Sequence, residues 1–183
     1  MAGVEYPQTD EDAARLVLEE ARYIFSGMIY GFSFRYTPSD NGRRVEEVFE
    51  LKPLHEIPWG DENLRLVRTT VDREFYRAEL RYELEDFQRG RIAFWESNTI
   101  PTAAGTGVGD LFIGREGKYE AIRQGIKEAV RNYLRPRSFN KPREITGEII
   151  LTGVPYIIID AGGYHAKVRI KLRITDVLPY SAY

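Results

Sequence analysis

Six basic residues form two rows whose spacing suits binding to a negatively charged partner. On a helix, side chains four residues apart share one face, and on a strand every second side chain does. Such rows predict sites for a phosphate, an anionic lipid, a nucleic acid or an acidic protein surface. The helical row is Arg123, Lys127 and Arg131, and the strand row is Lys167, Arg169 and Lys171.

The same cations have alternative partners in the acidic residues of the chain itself. Residues 1–116 contain 14 Lys+Arg and 22 Asp+Glu, a net charge of −8, whereas residues 117–183 contain 12 and 6, a net charge of +6. The overall formal charge of −2 therefore conceals a dipolar chain. Opposite charges on neighbouring strands contribute about 0.2–1 kcal/mol per pair. The candidate acidic partners include Glu46, Glu50, Glu79 and Glu83.

Glycine is concentrated in the segment 98–117, which contains five glycines and one proline. Gly105 and Gly107 lie at its centre, where glycine-rich sequence can wrap a phosphate. No Gly-Lys-Ser/Thr follows, however, and the glycine spacing differs from that of dinucleotide-binding loops. The segment therefore reads as a plain loop, or as a flexible flap over a pocket with Gly105 and Gly107 as binding positions.

Trp59 and Trp95 are the two tryptophans of the chain, and both are predicted to lie on or near loops. Exposed aromatic faces could build a stacking platform for a sugar or a peptide, which makes both residues candidate binding positions. A large aromatic side chain in a mixed sheet can instead fill the core. Burial of Trp95 would weaken a pocket at this place, whereas a position lining a cavity would strengthen it.

No residue pattern predicts a metal centre, a cofactor or a nucleophilic active site. Two histidines are too few for a multi-histidine metal site, and no HExxH spacing occurs around His55 and Glu56. Cysteine is absent, which excludes disulfides and thiolate chemistry, and no serine stands in a Gly-x-Ser-x-Gly elbow. A pair of catalytic carboxylates stays open, because the fold rather than the sequence spacing brings such groups together.

The hydrophobic pattern predicts two amphipathic helices, 11–24 and 118–134, and a larger number of strands. Strands that follow one another with short turns are typical of an α+β fold. We therefore expect a mainly antiparallel sheet with two helices packed on it, in the order α-β-β-β-β-β-α-β-β. The helix–hairpin pattern of 11–52 recurs at 118–175, which suggests an αββ duplication. The predicted strands are 27–37, 43–52, 64–71, 74–85, 91–97, 144–152 continuing as 156–160, and 164–175.

Length and composition predict one globular domain over residues 1–183. Hydrophobic residues make up 43% and charged residues 30% of the chain, near the average for folded proteins. The first ten residues lack the basic and apolar regions of a signal peptide. The longest mostly apolar stretch, 24–34, is shorter than the roughly 20 residues of a membrane helix.

The favoured hypothesis is a non-catalytic binding or assembly module of the bacterial cell envelope that docks to a protein or an anionic partner. The segregated charge supports docking, and the missing cysteine favours an exported location. Nucleic acid is disfavoured because the acidic remainder would repel it and no recognition motif is present. The alternative is a small-molecule-binding or hydrolytic domain whose sheet–helix pocket is lidded by residues 98–117.

Overall fold

The computed structural model of the protein describes residues 9–72, 75–137 and 140–180 and shows an α+β fold, as predicted. Two predictions fall partly outside the described residues. The first ten residues, which were assessed for a signal peptide, are described only from residue 9, and the predicted strand 74–85 is described only from residue 75. The helices are α1 (Asp10–Ile29), α2 (Asp86–Glu96) and α3 (Arg115–Leu134), with a 3-10 turn at Leu111–Ile113. The strands are β1 (Phe32–Thr37), β2 (Val48–Pro53), β3 (Leu64–Asp72), β4 (Phe75–Tyr82), β5 (Thr102–Asp110), β6 (Glu144–Leu151), β7 (Tyr156–Asp160) and β8 (Gly163–Leu178).

The main sheet is antiparallel at every strand pair and has the order β2-β1-β6-β8-β5, with β7 also paired to β8. The long β8 holds the sheet together. Its residues 163–171 pair with β5, and the opposite edge pairs with β7 over 163–167 and with β6 over 170–178. Strands β6 and β7 are therefore two parts of one strand that is interrupted between them, as the glycine and proline at 153 and 155 predict.

Helices α1 and α3 pack on one face of the main sheet. The core is built from alternate residues of the strands, including Phe32, Ile149 and Ile170, together with an apolar stripe of each helix. Thr9 caps α1 through its side chain, which accepts a hydrogen bond from the Asp12 amide at 3.1 Å. The two helices are joined by ion pairs between Arg115 and Glu19 and between Lys118 and Glu20.

The arrangement of the strands is compatible with the suggested αββ duplication. In the sheet, β1 and β6 are antiparallel neighbours at the centre, and each follows a long helix along the chain. Strands β2 and β8 flank them on either side. Two αββ units would therefore be related by a two-fold axis between β1 and β6. The duplication stays a prediction.

The predicted strand 91–97 is wrong, because this segment belongs to helix α2. The helix begins with a capping box, in which Gln88 accepts a hydrogen bond from the Glu85 amide at 2.8 Å while the Glu85 side chain accepts from the amide of Gln88. Ile92 and Trp95 are three residues apart and both face inward, which is a helical spacing. Gln88 is itself buried and donates to the hydroxyls of Tyr30 and Tyr82, so α2 is tied to α1 and β4.

The predicted loop 98–117, and with it the flexible flap, is also wrong. Residues Thr102–Asp110 form strand β5, which pairs with β8 along its whole length. The inward positions 105, 107 and 109 of β5 are glycines, and α3 lies directly on them. A Cβ added at Gly105 or Gly107 would come within 3.0 Å of the α3 backbone at Gly125. Gly105 and Gly107 are therefore packing positions, and the segment cannot serve as a lid.

Strands β3 and β4 form a separate two-stranded sheet outside the main one. The hairpin contacts α1, and its second strand leads into α2. In β4 the alternate residues Arg77, Glu79 and Arg81 are exposed, as the alternation of arginine and glutamate predicts, whereas β3 exposes Val67 and Val71 as well as Arg65 and Arg68. In the described part of the chain, none of the helices is both long and apolar enough to cross a membrane.

Candidate functional site

The helical row Arg123, Lys127 and Arg131 lies along α3, and each member is paired with a carboxylate of the same chain. Lys127 Nζ is 2.8 Å and Arg131 Nη2 is 2.7 Å from the carboxylate of Glu47, which precedes β2. Arg123 pairs with Glu120 on its own helix. Two of the three cations thus hold α3 to the β1–β2 connection, which is the intramolecular alternative considered for this row.

Glu47 is the centre of a compact polar cluster. Its Oε1 also accepts a hydrogen bond of 2.8 Å from the Tyr36 hydroxyl. Burial alone would raise the pKa of Glu47, but the hydrogen bonds from Lys127, Arg131 and Tyr36 outweigh it and lower the pKa to about 2. The carboxylate is therefore charged at neutral pH, and charge reversal of Lys127 or Arg131 would place two carboxylates together.

The strand row lies on the face of the main sheet that points away from α1 and α3. Lys167 and Arg169 are exposed on β8, and within the described ranges neither has a carboxylate oxygen within 4.0 Å. Lys171 differs because it is partly buried, and its Nζ donates to the Ser97 carbonyl oxygen at 2.8 Å. The structure therefore separates the row into two outward cations and one that faces α2.

Strands β5 and β7 place uncharged and apolar side chains on both sides of these cations. Lys167 lies between Thr106 and Tyr156 in the strand register, and His165 lies between Val108 and Ile158. We call the outward residues of these three strands the β5–β8–β7 face. Tyr156 is 63% and Ile158 is 40% exposed. Exposed apolar groups beside cations are typical of an interaction surface.

A groove of about 680 Å³ includes Lys167 and Arg169 in its lining. It is not confined to the outward face, because Glu128 and Asn132 of α3 line it together with residues of β5 and of the β6–β7 interruption. Gly105 lies at its edge, whereas Gly107 is enclosed between strand and helix. The other lining residues include Thr106, Glu128, Asn132, Thr152, Val154 and Tyr156.

On the same face of the sheet, the charged residues of β2, β1, β6 and the C-terminal part of β8 form ion pairs with one another. Arg35 on β1 lies between Glu50 on β2 and Glu144 on β6 and pairs with both. Arg173 on β8 pairs with Glu148 on β6 at 2.9 Å. Cross-strand ion pairs thus neutralise one half of the face and leave the β5–β8–β7 half with two outward cations.

Trp59 and Trp95 lie in different surroundings rather than on one platform. Trp59 is 55% exposed, with the Arg22 guanidinium 5.6 Å from its ring centroid. Trp95 is 3% exposed and forms part of the wall of a second, apolar cleft. Burial of Trp95 was expected to weaken the case for a pocket, and a position lining a cavity was expected to strengthen it. Trp95 does both, because it is buried and also lines the cleft.

The sequence identified Lys167 and Arg169 but not the residues around them. Thr106, Val108, Tyr156 and Ile158 join the β5–β8–β7 face only through pairing with β8. The alternation of small and larger residues in the glycine-rich segment was the available signal for β5. Within the described residues, no group of three or more His, Cys, Asp or Glu side chains could hold a metal ion.

Comparison with known proteins finds sequence similarity over almost the whole chain. A protein-family model matches residues 3–180. An uncharacterized protein of Treponema pallidum (strain Nichols) is 30% identical over 167 residues, which cover 90% of this chain and 69% of the relative. No solved structure matches the chain.

Proposed function

We propose that this chain, which belongs to the same protein family as the Treponema pallidum relative, is a non-catalytic binding module of the bacterial cell envelope. Its partner is an acidic segment of another protein, and its docking surface is the β5–β8–β7 face. The relative is bacterial, and the absence of cysteine favours an envelope location. The observation that carries the proposal is the pair Lys167 and Arg169, exposed among apolar groups and without a carboxylate partner in the described residues.

The composition of the face favours a protein over a polyanion. A nucleic acid or heparin-like chain requires several available cations in succession, whereas the outward row of β8 offers Lys167 and Arg169 only, because Lys171 donates to the Ser97 carbonyl oxygen and Arg173 pairs with Glu148. Tyr156 and Ile158 would contribute by burial, and the two cations by charge complementarity. The matching segment carries one or two carboxylates beside apolar side chains.

The outer edge of β7 adds a backbone component to the proposed interface. Strand β7 pairs with β8 on one side, and among the described residues no other strand pairs with its second side. Free amide and carbonyl groups on a strand edge bind an extended peptide by strand addition. The three isoleucines Ile157–Ile159 favour this pairing, because β-branched residues suit a strand.

The proposal predicts that Lys167→Glu with Arg169→Glu abolishes partner binding without unfolding the protein. Both side chains are exposed and make no ion pair in the described structure, so their reversal should change the unfolding free energy by less than about 0.5 kcal/mol. A photo-crosslinking residue at Thr106 in cells of the source organism identifies the partner. The double variant should then lower that partner's affinity at least tenfold, and added salt should lower the wild-type affinity.

A matched control is Arg68→Glu with Arg77→Glu, which makes the same charge change on exposed residues of the β3–β4 hairpin. This variant should keep the affinity. Equal binding by wild type and the Lys167/Arg169 variant, or an equal loss in both variants, would show that the face does not dock the partner. A crosslinking residue at Thr175, exposed at the far end of β8, should give no crosslink to the same protein.

A further inference from the structure

A second concave site lies between α1, the end of β4, α2 and the end of β6. It is a cleft of about 570 Å³, which is within the range of small-molecule sites. The end of β4 covers one side of it, and Trp95 and Ile92 of α2 cover another. Most of its lining is apolar and comes from Phe25, Met28, Ile29, Leu80, Leu84, Ile92, Trp95, Ile150 and Leu151.

Lys171 contributes a positive charge to the lining of the cleft. Its Nζ donates a hydrogen bond to the Ser97 carbonyl oxygen at 2.8 Å. No carboxylate oxygen within the described ranges comes within 4.0 Å of this ammonium group. Arg81 and Glu96 also line the cleft, so the formal charge of its lining is +1. An apolar cleft with one surplus cation suits a ligand with one negative charge and a long apolar part.

We propose that this cleft binds the acyl chain of a single-chain amphiphilic carboxylate, with the carboxylate at Lys171. The chain replaces water against the apolar walls, and the ammonium group supplies a charge-assisted hydrogen bond to the head. The site is distinct from the β5–β8–β7 face, because Lys171 lines the cleft whereas Lys167 and Arg169 line the open groove, and Thr152 is the one residue that lines both. Either proposal can therefore fail without the other.

Contact quenching of Trp95 tests occupancy of the cleft directly. In a Trp59→Phe variant, Trp95 is the only tryptophan, and a dibrominated fatty acid bound in the cleft should quench its fluorescence at micromolar concentration. Saturated fatty acids should compete, with an affinity that rises about fourfold per added methylene until the cleft is full. Absence of quenching would overturn the proposal.

A pair of substitutions on one strand tests the role of Lys171. Lys171→Met keeps the unbranched stem and removes the charge, so the affinity for a fatty acid should fall about tenfold while that for the corresponding alcohol stays unchanged. Lys167→Met makes the same change four residues away on the open face and should alter neither affinity. An equal loss for acid and alcohol would show that Lys171 does not bind the head group.

A cleft-filling variant separates occupancy from nonspecific adsorption. Leu84→Trp should lower the affinity for the fatty acid at least tenfold, and circular dichroism reports whether the variant folds. If it does not fold, Ile92→Phe serves as a smaller filling change. Binding of the protein to vesicles of anionic phospholipid is measured as well. A protein that binds these vesicles but no free fatty acid would overturn the assignment of a single-chain ligand. Unchanged fatty-acid binding in a folded filling variant would do the same.

Discussion

Replacing Gly107 by alanine should lower the free energy of unfolding by about 3 kcal/mol or more, near the upper end of the cost of overpacking. The added methyl group would be closer than 3.0 Å to the carbonyl oxygen of Ala121 and the amide nitrogen of Gly125. Both are backbone atoms in the middle of α3, so neither can rotate away. Relief requires the whole helix to move off β5. Urea unfolding followed by circular dichroism measures the change.

Two glycines elsewhere provide controls for the same substitution. Nothing lies within 4 Å of a Cβ added at Gly153 or Gly90. Gly153→Ala should leave the unfolding free energy nearly unchanged, and Gly90→Ala should raise it by about 0.5–1 kcal/mol because Gly90 lies inside helix α2. Wild-type stability in Gly107→Ala would contradict the close approach of α3 and β5.

Glu47→Gln is expected to destabilise the protein by about 3 kcal/mol at pH 7, and the loss should shrink as the pH falls. The pKa of Glu47 is lowered from 4.5 to about 2 in the folded protein. A lowered pKa stabilises the folded state fully above the unfolded value, and this contribution is lost between about pH 4.5 and pH 2. The difference of roughly 2.5 pKa units corresponds to about 3 kcal/mol.

The neighbouring Glu46 is the control for this experiment. It is exposed, and among the described residues it makes no ion pair, so Glu46→Gln should change stability by less than about 0.5 kcal/mol at any pH. Unfolding curves of wild type and both variants at pH 7, 4 and 2.5 separate the two cases. A pH-independent effect of Glu47→Gln would show that packing, rather than charge, accounts for the loss.

The sequence predicted the parts of the fold that depend on local periodicity. The alternation in 164–175 identified β8, and the apolar residues at helical spacing identified α1 and α3. The prediction failed at α2, because Arg91–Ser97 is short and reads equally well as an alternating strand. One deciding contact of Gln88 is with Tyr30, which is 58 positions away in the sequence. The prediction failed at β5 because its most closely packed inward positions are glycines and its largest apolar residue, Val108, lies on the exposed face, so no hydrophobic alternation marks the buried side.

The candidate site shows the same division. Lys167 and Arg169 could be recognised from one strand alone. The role of Glu47 could not, because its partners on α3 are 80 and 84 positions away and only the fold brings them together. Tyr156 and Val108 join the face through strand register, which the sequence does not define.

The glycine contact between β5 and α3 also determines how closely each part of the helix approaches the strand. The inward glycines of β5 recur every two residues, or about 6.6–6.8 Å along the strand, whereas the α3 residues that they contact recur every four residues, or about 6 Å along the helix. The contacts between strand and helix therefore change gradually along their length. An added Cβ would be closest to the helix backbone at Gly109 and least close at Gly105, and the next inward residue, Ala103, does carry a Cβ. The helix therefore approaches β5 most closely at its N-terminal end. Its C-terminal half is held by side chains instead, through the ion pairs of Lys127 and Arg131 with Glu47 and the hydrogen bond from Asn132 to the Ala104 carbonyl oxygen.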